Sequence, residues 1–257
     1  MNFGERRTLI ESLSNDCRFD GRDKKTFREV TVETDVSVTA EGSAIVSIGD
    51  TKVIAGVKFE MGTPYADTPD EGSLMVGVEL SCMASDNFET GPPSFDAIEL
   101  ARVTDRGIRE SKCFDTKTLC IKKGEKSWTV AVDISIINYD GNLFDACSLA
   151  AMAAIKSARF PKIDKNGNAD YHNLTKNGLK FTKIPIGVTV IKIGNQIFVD
   201  PTEKEMEGLD ARLTVTSVED DTICALQKGG IAPLSIEDVS NMTEIAIEKA
   251  KELRKLL

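Results

Sequence analysis

Residues 43–61, SAIVSIGDTKVIAGVKFEM, decide the fold class. Two apolar-rich runs, SAIVSIG and TKVIAGVKFEM, flank Gly49-Asp50, a pair suited to a tight turn, so the stretch reads as two strands of a hairpin. Upstream, FREVTVETDVSVTA (27–40) alternates apolar and polar residues with Val30, Val32, Val36 and Val38 on one register, which predicts another strand turning at Glu41-Gly42. Downstream, the Pro-, Gly- and acid-rich GTPYADTPDEG (62–72) reads as a loop, and LMVGVELSCM (74–83) as a fourth strand.

Helices interrupt these strands at intervals. ERRTLIESLS (5–14) predicts a short first helix, and SFDAIELARVTDRGIRESK (94–112) a second with Ser94 as N-cap. Strands follow at 118–122 and 128–137. A third helix over 145–159 is small and apolar all round, as a helix buried on several sides would be. Residues 162–180 read as an exposed polar excursion. Strands at IPIGVTVIKIG, QIFVD, ARLTVTSVED and TICALQKGG complete the second half. Ser235, with Asp238 in capping-box position, starts a last helix whose expected stripe is Ile236, Val239, Met242, Ala246, Leu253 and Leu257. Runs of hairpin strands separated by helices predict an α+β fold of mixed sheets backed by helices, in two related halves. No linker divides the chain, so residues 1–257 read as a single domain.

Composition narrows the function. A net charge of −9 opposes a nucleic-acid surface spread over the whole molecule, though not a local basic face. Six cysteines with no CxxC spacing and a single histidine, His172, oppose a zinc site or a disulfide framework, and predict reduced, mostly buried thiols in a cytoplasmic protein. The opening residues lack the apolar run of a secretory signal, and no run approaches the roughly 20 residues of a membrane span, so no membrane association is expected.

Three constellations could carry chemistry. On the second helix, Arg102, Arg106 and Arg109 fall within about 60° of one another, opposite Leu100, Val103, Gly107 and Ile108. Planar guanidinium forks suit phosphate, but Asp105–Arg109, Arg106–Glu110 and Glu99–Arg102 could equally make this a solvated salt-bridge face. In NYDGNLFDACSLAAM (138–152), a strand, a Gly turn and a helix start have the shape of a phosphate loop. Asp140 and Asp145 occupy that region without a cation, which favours a structural carboxylate cap. In FVDPTEKEMEGLD (198–210), Asp200, Glu203, Glu205, Glu207 and Asp210 could hold Mg²⁺ or move protons; a solvated acidic turn is the favoured reading. No Ser–His or Cys–His pair assembles around one histidine, so covalent catalysis is not expected.

Together, FDGR (19–22), EGSAIVSIGDTKVIAGVKFE (41–60), ELARVTDRGIRES (99–111), NYDGNLFDACSLAAMAAIK (138–156), DPTEKE (200–205) and QKGG (227–230) resemble the RNase PH-fold family over nearly the whole chain. The loop PYADTPDEG (64–72) and ELARVTDRGIRES bring the resemblance closest to the non-catalytic subunits of the archaeal exosome. Active members of the family carry a Gly-Ser/Thr-Arg run that holds phosphate, where this chain has Asn142-Leu143-Phe144-Asp145. They also place an Asp where it has Met206, and Asp210 matches a second family carboxylate only loosely.

The resemblance implies an exosome subunit with no catalytic residues, no cofactor and no metal. Three copies would alternate with three catalytic RNase PH-like partner subunits in a hexameric ring, joined by RNA-binding cap proteins, to support 3′-to-5′ phosphorolytic RNA degradation. Arg102, Arg106 and Arg109 match the family's RNA-contacting helix and are the expected RNA-binding residues. The alternatives are an active phosphate-dependent 3′-to-5′ exoribonuclease, or an unrelated anion-binding protein on the same fold.

Overall fold

In the structure, a computed structural model that describes residues 1–164 and 167–257, the hairpin forms around Gly49. The turn needs its left-handed φ of +56°, and a Cβ there would strike the Arg28 side chain. In chain order the elements are α1 (Phe3–Ser14), β1 (Val30–Thr34), β2 (Gly42–Ile48), β3 (Thr51–Gly62), β4 (Ser73–Leu80), α2 (Phe95–Ser111), β5 (Cys120–Lys122), β6 (Lys126–Asn138), α3 (Leu143–Ser157), β7 (Pro161–Ile163), β8 (Ala169–Leu174), β9 (Ile186–Ile193), β10 (Gln196–Val199), α4 (Glu203–Met206), β11 (Ala211–Ser217), β12 (Ile223–Gly229) and α5 (Ile236–Arg254).

The first sheet runs β1-β2-β3-β6-β4, with β5 pairing β6 at one end; β4 is parallel to β6 and the other pairs are antiparallel. The second sheet is the antiparallel β10-β9-β11-β12. The fold is therefore α+β, with one mixed and one antiparallel sheet backed by helices. α3 packs against β2 and β3 on one side and β9 on the other, and α5 covers β9 and β11. The run Ala150, Ala151, Ala153 and Ala154 explains how one helix serves two sheets. Small side chains let backbones approach until a Cβ on Gly42 would lie 2.4 Å from the Ala154 carbonyl. One hydrophobic core runs through both halves, from Val46, Phe59 and Ile134 through Leu149 to Val188 and Val215.

The structure corrects several expectations. The strand read over 27–40 survives only as β1, because Asp35 enters the left-handed region at φ +58° and Val38 is fully exposed. Glu41-Gly42 is not a turn: buried Glu41 accepts the Phe59 N–H at 3.0 Å and pairs with Lys58, while Gly42 lies within β2. Strand 74–83 stops at Leu80. The excursion 162–180 contains a hairpin, β7 with β8; residues 165 and 166 lie outside the described residues. Only Cys113 and Cys147 of the six free thiols are buried, and Cys17 and Cys82 are exposed. The α5 stripe buries Met242, Ile245, Ala246, Ala250 and Leu253, with Val239 and Leu257 partly buried against the same core, whereas Ile236 is 91% exposed.

Candidate functional site

Where β4 ends, α2 and α3 begin and β11 passes beneath, the fold leaves a cavity of about 160 Å³. Its walls include Leu100, Tyr139, Asn142, Phe144, Met206 and Arg212. It opens into a groove of about 970 Å³ along the loop 81–94, also lined by Glu203 and Glu207. Among the described residues lining either space, Arg212 is the one Lys or Arg. It is already engaged: Nη2 lies 2.6 Å from Glu99 Oε2, and the guanidinium sits over the Phe144 ring at 4.5 Å. Asp96, Glu99, Glu203 and Glu207 make the surroundings acidic. Burial, then the charges of Asp140, Glu207 and Asp86, raise the Glu203 carboxyl above its ordinary range. Burial and the same negative field push the Tyr139 hydroxyl up to about 12. An anion entering here meets carboxylates and a neutralised guanidinium.

The start of α3 forms one wall. Gly141 (φ +83°) and Asn142 (φ +50°) make the turn, and no side chain caps the helix. The expected carboxylate cap is thus corrected. Asp145 is fully buried and accepts the Thr189 N–H at 2.7 Å, a bond from the neighbouring sheet that outcompetes the helix's own donors. Burial pushes its carboxyl up to about 8. Asp140 accepts instead from Arg28 and from the Glu203 N–H.

The acidic cluster splits: Asp200 and Glu205 are buried, whereas Glu203 and Glu207 stay open to the groove as the solvated reading expected; among the described residues no group of His, Cys, Asp and Glu is placed to hold a metal ion. Asp200 is wholly buried beneath Arg22 and Arg28 and takes a hydrogen bond from Asn142 Nδ2 at 2.9 Å. Glu205 is buried against Arg18 at 2.6 Å, and Arg18 stacks over Phe198. Both oxygens of Asp210 are engaged, by Arg6 and by the Gly194 N–H, outside the cleft. Burying several carboxylates is tolerable because each receives a cation and hydrogen bonds. This clasp joins the segment 18–28 to the second sheet. Sequence reading missed it, although the joint presence of FDGR and DPTEKE was its signal. Met206 does line the cleft, at its mouth.

Arg102, Arg106 and Arg109 are exposed together on α2, and none of them lines the cleft. Arg109 pairs with Asp105 at 2.7 Å and donates to the Leu74 carbonyl. Arg106 reaches Gln227 at 3.3 Å. The other two expected ion pairs do not form: Glu99 turns to Arg212, and Arg106 makes no salt bridge with Glu110. The face therefore keeps uncompensated positive charge.

Comparison with known proteins agrees with this geometry. The sequence matches the 3′ exoribonuclease family, domain 1, over residues 26–161 and its domain 2 over 183–249. It is 44% identical to the exosome complex component Rrp42 of Methanosarcina acetivorans, over 93% of this chain and 88% of that protein. The fold superposes with a TM-score of 0.91 on a chain of the Archaeoglobus fulgidus exosome solved with RNA bound to the active site, at 42% identity over 98% of this chain and 96% of that one. A chain of an archaeal exosome core gives 0.86 at 39% identity, over 98% and 95%. With both of its domain signatures, its relatives and its fold in agreement, the chain belongs to the 3′ exoribonuclease family of RNase PH fold.

Proposed function

We propose that this chain is a non-catalytic subunit of an archaeal-type exosome ring, which supports 3′-to-5′ phosphorolysis by a catalytic partner subunit through assembly and RNA contact. One observation carries the reading. Among the described residues lining the cleft the one cation, Arg212, is neutralised by Glu99, so none of them offers a free positive charge to an attacking phosphate. Asp200 adds support, being consumed beneath two arginines, as does Met206 where active relatives carry a carboxylate. The exposed arginines of α2 offer the RNA contact. In this reading the subunit alternates with its partner in a hexamer, carries RNA-binding cap proteins and works in the cytoplasm.

The test is a phosphorolysis assay on a 3′-tailed RNA, with the lone protein and then with the partner subunit added. The lone chain releases no nucleoside diphosphate, and the mixture acquires activity and the mass of a hexamer. Diphosphate release by the pure lone chain would establish the alternative, an active phosphate-dependent exoribonuclease. Separate elution of the two proteins at micromolar concentration would remove the ring.

A further inference from the structure

We propose that Tyr65, in the loop between β3 and β4, is a stacking platform for an unpaired base of the RNA strand whose phosphates the α2 arginines hold. This rests on the reading of α2 as the RNA-contacting face. Arg102, Arg106 and Arg109 lie exposed along about 10 Å of helix axis. Arg109 stands at the end that meets the loop: its Nη2 donates to the Leu74 carbonyl at 2.9 Å, where the chain enters β4. The hydrogen bonds of Asp105 raise the Arg109 guanidinium above its ordinary value, burial opposes them, and the charges of Asp105, Glu110 and Tyr65 add to them. Tyr65 is thus the neighbour of the last arginine on the stripe, and it is 68% exposed.

The ring is free while the backbone beneath it is held. Tyr139 packs on Phe88 and Tyr171 lies beneath Lys58 Nζ, but among the described residues no ring or cation contact falls on Tyr65. The Thr68 N–H donates to the Tyr65 carbonyl and the Glu71 N–H to that of Thr68, both at 3.1 Å. The loop is then tied to the body: the Gly72 N–H donates to the Thr116 carbonyl at 3.0 Å, the Gly124 N–H to the Pro69 carbonyl at 2.7 Å and the Thr116 hydroxyl to Glu71 at 2.8 Å. A base landing on this ring therefore has little backbone to order. Nearby carboxylates select the base over a further phosphate. Asp105 is held by Arg109, and Asp70 faces Lys117 at 3.9 Å, but Asp67 and Glu110 stay exposed and repel an anion. A neutral base can lie on the phenol ring while its phosphate stays with Arg109. Single-strand binders combine these two elements, cations along the backbone and aromatic rings under the bases.

The full chain is titrated alone and assembled with its catalytic partner, without inorganic phosphate so that no strand is shortened. The probes are a single-stranded oligoadenylate and the same ribose-phosphate strand lacking its bases. Tyr65→Ala weakens oligoadenylate binding at least about fivefold and leaves the salt slope unchanged, because no charge is removed. Tyr65→Phe keeps the π-face and binds within about twofold of the parent. The baseless strand binds the parent and Tyr65→Ala alike. Equal oligoadenylate affinity in the parent and Tyr65→Ala, with changed salt slopes in the Arg102 and Arg106 variants, overturns this inference alone. An equal loss on the baseless strand overturns stacking. Loss of ring assembly in Tyr65→Ala, with the RNA affinity of the lone chain unchanged, makes Tyr65 a subunit contact and overturns the inference as well. Failure of the parent to bind either strand, alone or assembled, overturns RNA contact by α2 and this inference with it.

Discussion

Arg28 grips Asp200 with two parallel hydrogen bonds, Nε to Oδ2 at 2.9 Å and Nη2 to Oδ1 at 2.8 Å, across 172 positions of sequence. Burial alone would raise the Asp200 carboxyl, but the bonds and charge of Arg28, with Arg22 behind it, outweigh that and hold it below the ordinary range. Its stabilisation is therefore present above the unfolded carboxylate value and is lost as pH falls through the lower folded one. Asp200→Asn keeps the shape and removes the carboxylate shared by two mostly buried guanidiniums, while Arg22 keeps Asp20 and Arg28 keeps Asp140. Urea unfolding at neutral pH should show a loss of about 1–3 kcal/mol. A loss below about 1 kcal/mol would mean that water already shields the arginines.

Asp145 behaves in the opposite sense. Its folded value near 8 stands above the ordinary 3.8, so the folded protein keeps a proton that the unfolded chain releases. The contribution to stability is complete below the unfolded value and drains away as pH climbs from about 4 to 8, with a slope of at most ~1.4 kcal/mol per pH unit. Asp145→Asn removes the titration, and its amide oxygen can still accept the Thr189 N–H. The stability of the variant relative to the parent should rise between pH 5 and pH 8. Parallel curves would show that the carboxyl is ionised throughout.

What sequence could and could not reveal follows from distance along the chain. The Gly49 turn, the Ser94 cap of α2 and the Ser235–Asp238 capping box of α5 are set by residues within three positions of each other, and all three form. Asp145 was misread because its local position suits a cap, while the competing donor, Thr189, arrives from a strand 44 residues later. The Asp200 clasp and the neutralisation of Arg212 by Glu99 are likewise long-range contacts between residues that look solvated in isolation. The parallel pairing of β4 with β6 leaves no local mark either.

Residues 1–257 should unfold as one unit, although two family signatures divide the chain at 161 and 183. The reason is α3, whose small faces pack against both sheets within a continuous core. Trp128 fluorescence reports the first sheet, and amide protection in β9 and β11 reports the second. Both should be lost at the same urea concentration. Two separated transitions would make each signature an independent folding domain.

The arginine face separates the RNA-guiding role from a merely structural one. Arg102 and Arg106 are exposed, and Arg106 has only a 3.3 Å contact with Gln227, so replacing either by Ala should leave the fold and ring assembly intact. Each lost phosphate contact should lower the magnitude of the salt slope of RNA binding by roughly 0.7 for a single strand. Arg109 differs, since it also ties α2 to β4 through the Leu74 carbonyl and pairs with Asp105. Arg109→Ala should therefore combine the slope change with a modest loss of stability, of which the exposed i,i+4 pair accounts for about 0.3–0.5 kcal/mol. Binding by the assembled ring across a salt series, parent against each single variant, reads the slopes directly. Degradation by the partner should slow in each variant, because RNA is held less firmly near the catalytic centre. Identical slopes and affinities in all three variants would return the face to a solvated helix surface and leave assembly as this subunit's contribution.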